Sequence, residues 1–219
     1  MITCAIGDIH GCACSLLNLL PQVINRADQI VFLGDYVDRG PASKEVVETI
    51  IELQASHPRV ITLQGNHERM FFNYLAGGDS SVFFRTGGLQ TLASYDLEPG
   101  ATVKDLPAEH RHFFANLLPY WEDAHAIYVH AGLQPGRHLS LQQASWYLWA
   151  KENFIKNTYN FGKPVVFGHT AFSEPLVRPE KIGIDTGAVY GGRLTAVLLP
   201  EQEFISVPGE QKYPFLFEH

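Results

Sequence analysis

Cysteine is scarce in this chain: three residues of 219, at positions 4, 12 and 14. So few thiols exclude a disulfide-stapled scaffold, and an odd count without a secretion signal points to reduced thiols in a cytoplasm. Cys12 and Cys14 have no second cysteine pair to complete a zinc site, so they read as small apolar residues at a helix start. Basic excess is missing too: 16 Lys and Arg stand against 23 Asp and Glu, a formal charge of −7. Such a balance lacks the broad positive surface that phosphate-backbone binding needs, which argues against a nucleic-acid partner. No apolar run approaches the length of a membrane span. The first eight residues carry no basic segment and end in Asp8, so they read as a strand and not a signal peptide. There is no internal repeat, low-complexity tract or linker, and one domain over residues 1–219 is expected. What is present is a 46% apolar chain with 14 Phe, enough for a substantial core.

The hydrophobic pattern alternates between strand and helix. Residues 2–7, 29–33 and 59–64 are short apolar runs suited to buried strands. Between them, residues 12–25 and 43–53 repeat apolar side chains at helical spacing, with Ser43 as a candidate N-cap. This is β-α-β-α-β, which implies parallel strands joined by right-handed crossovers. Helices are expected at 68–75, 89–95, 108–118 and 140–157, and strands within 121–131 and at 165–168, 182–185, 193–199 and 204–207. Alternating units followed by a strand-rich half predict two packed sheets with helices outside. The tail, 212–219, carries three aromatics and is expected to dock on the body.

Residue types that bind metals recur where strands end. The first strand runs into Gly7-Asp8-Ile9-His10-Gly11, and the second into Gly34-Asp35-Tyr36-Val37-Asp38-Arg39-Gly40. Gly65-Asn66-His67-Glu68, His130-Ala131-Gly132 and Gly168-His169-Thr170 follow three more. Taken singly, each has a plainer reading: a hydrogen-bonded packing histidine, or a Gly-Asp turn. Taken together, five glycine-flanked Asp, His or Asn loops at strand ends point to one site on one sheet edge. His57, His110, His112, His125, His138 and His219 lack this setting and read as surface or packing residues.

These motifs, in this order, resemble the calcineurin-like metallophosphoesterases, in particular the bacterial and bacteriophage type of phosphoprotein phosphatase. The resemblance spans residues 5–190 and includes Gly87-Gly88, residues 91–95 and 184–188. It implies a four-layer αββα sandwich, two mixed β-sheets flanked by helices, with a dinuclear metal site at the strand C-terminal ends. Asp8 and His10 would bind the first metal, Asp35 would bridge, and Asn66, His130 and His169 would complete the second. Two divalent ions are implied, manganese first, with iron or zinc also compatible with such ligands. The implied chemistry is direct attack of a metal-bridging hydroxide on phosphorus. Arg39 would clamp phosphate oxygens, and His67 would protonate the leaving alkoxide. Asp38 would orient His67 and favour its protonated form, while Glu68 and Asp185 would support rather than react.

One segment departs from the pattern. Residues 147–152 read Tyr-Leu-Trp-Ala-Lys-Glu, with Lys151 where the family usually carries a second phosphate-binding arginine. Lysine keeps the charge and loses the bidentate fork, so Lys151 is expected to make a weaker second phosphate contact. Asp38 and Glu68 favour a phosphatase of phosphoproteins, on phospho-Ser/Thr and also phospho-Tyr, over the sister symmetrical bis(5'-nucleosyl)-tetraphosphate hydrolases, which typically carry Ala and Asp there. A catalytically silent binding module is disfavoured, because all six ligand positions hold competent residues. A phosphoprotein or small phosphoester is thus the expected partner, with no membrane association.

Overall fold

A computed structural model describes residues 1–211 and residue 213. Its strands are β1 (Thr3–Ile6), β2 (Gln29–Phe32), β3 (Val60–Thr62), β4 (Tyr120–Glu122), β5 (Ile127–Val129), β6 (Val165–Phe167), β7 (Leu176–Arg178), β8 (Lys181–Gly183), β9 (Asp185–Thr186), β10 (Arg193–Leu199) and β11 (Glu203–Pro208). The helices are α1 (Ala13–Val23), α2 (Ser43–Ser56), α3 (Asn66–Leu75), α4 (Ser81–Arg85), α5 (Gly88–Ser94), α6 (Ala108–Ala115), α7 (Ala144–Tyr147) and α8 (Glu152–Ile155). They build a mixed α/β fold. One sheet has the order β11-β10-β1-β2-β3, with β9 on β10, and the other β4-β5-β6-β8-β7.

The layering follows from strand alternation, which sends successive side chains to opposite faces. In β1, Cys4 and Ile6 join the helix-covered core, while Ala5 points to the other sheet. In β2, Ile30 and Phe32 face helices and Val31 faces the sheet-sheet interior. The second sheet repeats this: Tyr128, Val166 and Ile182 fill the space between sheets, while Ile127, Val129, Val165 and Phe167 pack outward under α8. Two sheets flanked by helices therefore match the expectation.

Strand direction places the site. β1, β2 and β3 are parallel, as are β5, β6 and β8. Every loop singled out above therefore leaves the carboxyl end of a parallel strand.

Two local expectations change. The helix expected over 140–157 is a 3-10 turn at Leu139–Leu141, then α7 and α8. It breaks at Lys151 (φ −132°, ψ −123°), where the Asn153 side chain accepts from the N–H groups of Lys151 and Phe154. Asparagine competes with the helix ladder in this way. Ser43 is not the N-cap: Ala42 is, and the Ser43 hydroxyl turns to the Asp38 N–H and to Thr91. The strand character expected within 121–131 resolves into a hairpin of β4 and β5. Apart from Tyr213, which donates its N–H to the Val189 carbonyl and its hydroxyl to that of Arg85, the tail 212–219 lies outside the described residues. Among the described residues no helix is long and apolar enough to cross a membrane.

Candidate metal centre

The loop after β2 has unusual backbone geometry. Among the described non-glycine residues with positive φ are His10 (47°), Asp35 (53°), Asp38 (70°), Arg39 (69°) and His169 (65°). Each such residue costs about 1–3 kcal/mol and persists only where its surroundings over-determine it. The surroundings here are explicit. The buried Glu68 carboxylate accepts N–H bonds from Gly65 (2.8 Å), Asp35 (2.9 Å), Tyr36 (2.8 Å) and Val37 (3.3 Å). Glycine leaves room for the carboxylates: a Cβ at Gly65 would stand 2.1 Å from Asp35 Oδ1, and one at Gly168 2.0 Å from Asp8 Oδ1.

Two clusters of ligand-type atoms share Asp35: one with His10 and His67, the other with His130 and His169. His10 Nε2 lies 3.3 Å from Asp35 Oδ2, and His130 Nε2 lies 3.4 Å from Oδ1. Asn66 enters the second cluster, its Oδ1 at 2.9 Å from His130 Nε2 and 3.0 Å from His169 Nδ1. Asp8 joins neither cluster directly: its oxygens accept the His169 N–H at 3.0 and 3.2 Å. His67, expected to act as an acid, has its Nε2 3.9 Å from Asp35 Oδ2.

The donor set fits divalent cations. His10 Nδ1 donates to the Val37 carbonyl at 2.8 Å and His130 Nδ1 to the Leu33 carbonyl at 3.0 Å. Those bonds fix the tautomer and aim each Nε2 lone pair inward. Acceptors then face acceptors across Asp35 and Asn66, an arrangement that a proton-free contact disfavours and a cation satisfies. His169 Nε2 is buried without a hydrogen-bond partner among the described residues. Arg39 Nη1 contacts His10 Nε2 at 2.5 Å, so the pocket accepts positive charge.

Electrostatics agree. Burial works to raise the Asp35 pKa, yet positive charge on the imidazoles of His130, His67 and His10 holds it well below the usual carboxylate range, the same role a cation would fill once those rings are neutral. Burial, with Asp185 and Asp35 adding to it, pushes the Asp8 carboxyl well up. Three carboxylates crowded in a dry site are the arrangement that bound cations relieve. Burial also carries His169 down to about 3, so its imidazole is neutral and able to ligate.

Beside the clusters lies a relay. Thr91 Oγ1 donates to Asp38 Oδ1 (2.6 Å), and Asp38 Oδ2 accepts from His67 Nδ1 (2.7 Å). Asp38 is fully buried, and its N–H donates to Thr91 Oγ1 at 2.7 Å. Burial pushes Asp38 well up and His67 well down. The expected bias toward protonated His67 thus meets an opposing desolvation effect, and what the hydrogen bond fixes is the ring's orientation and tautomer. Sequence reasoning did not single out Thr91 as a site residue, nor Tyr190, whose ring lies 5.5 Å from the Arg39 guanidinium carbon. A signal for Thr91 existed in its place just after Gly87-Gly88.

Lys151 is exposed, and its charge adds to the lowering at His169. Arg137 donates to the Leu141 carbonyl and is engaged there. Asp185 accepts the Gly187 N–H at 2.9 Å and closes its own turn. Of the remaining histidines, His110 is buried against the Tyr95 hydroxyl at 2.8 Å and His125 contacts the Met1 carbonyl at 2.8 Å, as packing residues do.

Comparison with known proteins identifies the family. The chain is similar to the asymmetrical bis(5'-nucleosyl)-tetraphosphatase PrpE of Anoxybacillus flavithermus, 28% identical, with 97% of this chain and 96% of the relative covered. Among solved structures it is similar to a candidate diadenosine tetraphosphatase, with a TM-score of 0.73 and 25% identity over 96% of this chain and 94% of the other. A protein serine/threonine phosphatase from Saccharomyces cerevisiae shares the fold, with a TM-score of 0.64 and 17% identity over 100% of this chain and 81% of the other. The model of the calcineurin-like phosphoesterase family matches residues 1–190, and this chain, a hydrolase by that membership, belongs to that family.

Proposed function

We propose that the chain hydrolyses phosphomonoesters with poor leaving groups, as in phosphoproteins, at a dinuclear centre held by Asp8, His10, Asp35, Asn66, His130 and His169. Manganese is the first choice of ion, because the donors are carboxylate, imidazole and amide without thiolate. When bound, two such ions lower the pKa of a shared water and polarise a phosphoryl oxygen. The chain's own residues do the rest. Asp35, between the two clusters, sets the spacing. Arg39 leaves His10 and turns its planar fork to phosphate oxygens, with Tyr190 beside it. Lys151 adds a point charge within reach of His169.

The observation that carries this reading is the 2.7 Å bond from His67 Nδ1 to buried Asp38, backed by Thr91. It holds His67 Nε2 toward the site, 3.9 Å from Asp35 Oδ2, where a proton first taken up on that nitrogen from solvent would pass to a departing alkoxide. Serine and threonine alkoxides need that proton; a phosphate leaving group, far less basic, needs it little.

A second reading is cleavage of dinucleoside tetraphosphates. The relative that the chain matches over 97% of its length favours it, and the named cleavage there is asymmetrical, not the symmetrical one weighed from the motifs. A substrate panel separates the readings: phosphoserine and phosphotyrosine peptides, an aryl phosphate, diadenosine tetraphosphate and a phosphodiester, each with and without manganese. Higher kcat/KM on phosphopeptides supports the first reading. Preference for diadenosine tetraphosphate replaces it with the second, and no metal-dependent turnover on any substrate removes both.

A further inference from the structure

A groove of about 290 Å³ opens beside the metal centre, walled by Arg69, Met70, Asn73, Val82, Phe83 and Trp149. We propose that it is a nucleobase subsite, taking the purine of a nucleoside polyphosphate whose phosphates reach the metal centre. The proposal rests, for catalysis, on the second reading above; as a statement about binding it stands alone.

Position is the first argument. Trp149 lies edge-to-face with the His169 ring, centroids 6.2 Å apart at 85°. Arg69 is on the first turns of α3, two residues after His67. The groove therefore begins where the catalytic cluster ends. Its surface is the second argument. The Trp149 indole is 44% exposed and Val82 37% exposed, so the groove presents an aromatic plate and an apolar floor to solvent. Such a surface beside a polar centre is the ordinary make-up of a small-molecule site.

Charge is the third argument. The exposed Arg69 guanidinium makes no hydrogen bond or ion pair with the described residues. The single carboxylate on the groove, Asp79, is engaged by the Ser81 N–H at 2.9 Å and the Ser81 hydroxyl at 3.2 Å. An unpaired guanidinium sharing a groove with an indole plate suits a phosphate chain leading to a stacked base. Distance decides the kind of aromatic. A ring esterified directly to the reacting phosphorus lies against the metal ligands. A ring stacked on the Trp149 indole lies over a side chain whose own centroid is already 6.2 Å from that of His169. A base, held off by ribose and several phosphates, spans that gap; a phosphotyrosine ring does not.

Calorimetry on the full, manganese-loaded chain tests this with the β,γ-methylene analogue of ATP and, as a base-free control, tripolyphosphate. The nucleotide should bind about tenfold more tightly than the control, the gain of one stacked base. Trp149→Ala should erase that gap, and Trp149→Phe should keep most of it, which also guards against misfolding of the alanine variant. Arg69→Gln should weaken both ligands alike. Equal affinities in the unaltered protein, or a gap that survives Trp149→Ala, overturn the proposal. So does a phosphopeptide with an apolar flank displacing the nucleotide analogue through a Trp149-dependent site. Absence of diadenosine tetraphosphate hydrolysis with the binding gap intact defeats only the catalytic reading.

Discussion

Two regions flank the metal centre and are built oppositely. Residues 34–40 are a buried loop whose backbone is fixed by Glu68, Ser43 and Thr91, with Asp35 only 1% exposed and Asp38 0%. The arm over residues 144–152 is broken into short turns and presents Trp149 and Lys151 to solvent. It is anchored at a distance: buried Lys181 donates to the carbonyls of Phe154 and Asn157, and Arg178 to that of Ile155. The difference teaches a division of labour. Groups that must be exact in position sit on strained backbone held from several sides. The groups proposed to meet the variable part of a substrate sit on the solvent-exposed arm.

The largest expected effect breaks the buried side outright. Asp35→Ala should abolish stoichiometric manganese binding and lower kcat by about a thousandfold or more, since several kcal/mol of charge stabilisation go with the ions. Metal analysis of the purified variant beside its turnover checks this, and chelation of the unaltered protein should reproduce the loss, reversed by added manganese. Retention of two ions in the variant contradicts the bridging role.

Next comes the relay. Asp38→Asn should lower kcat on a phosphoserine peptide by about 10²–10⁴-fold. The loss should be clearly smaller on p-nitrophenyl phosphate, whose leaving group needs no proton. Equal losses on the two substrates would mean that Asp38 shapes the site without serving His67.

A smaller effect probes the fastening of the loop. Glutamine at 68 offers one carbonyl and a donor NH2 to the N–H groups that a carboxylate satisfies. Glu68→Gln should therefore weaken manganese affinity by about 10–100-fold, as loss of a supporting partner does. Titration with manganese reads this directly, and unchanged affinity sinks the fastening role.

The smallest effect belongs to the arm. Lys151 is exposed, so Lys151→Ala should raise KM by no more than about fivefold, the scale of an exposed charge contact. Lys151→Arg should match or improve the original, because the fork restores bidentate contact. Unchanged KM and kcat in Lys151→Ala end its proposed phosphate role, whereas a loss near that of Asp35→Ala would erase the contrast between the two regions.

Much of this was legible in residue order. Short continuous apolar runs and helical spacing foretold the parallel βαβαβ start, and with it the edge where the glycine-flanked Asp, His and Asn loops gather, because parallel strands put all their C-terminal loops on one edge. Local pattern failed where side chains chose distant partners over local ones. Ser43 looks like a cap in sequence, yet its hydroxyl serves Asp38 and Thr91. The 140–157 stretch has helical apolar spacing, yet Asn153 and the irregular Lys151 backbone divide it.

The sequence by itself determined which side chains converge, since glycine-flanked Asp, His and Asn at strand ends have one place to go once the sheet forms. Only the tertiary structure decided how they are held. Glu68 fastening four backbone N–H groups, Thr91 joining Asp38 from 53 residues away, and Trp149 meeting His169 with the two rings near perpendicular are contacts between separate elements. No local periodicity encodes such contacts: they exist only because packing of the two sheets and their helices brings distant residues into reach.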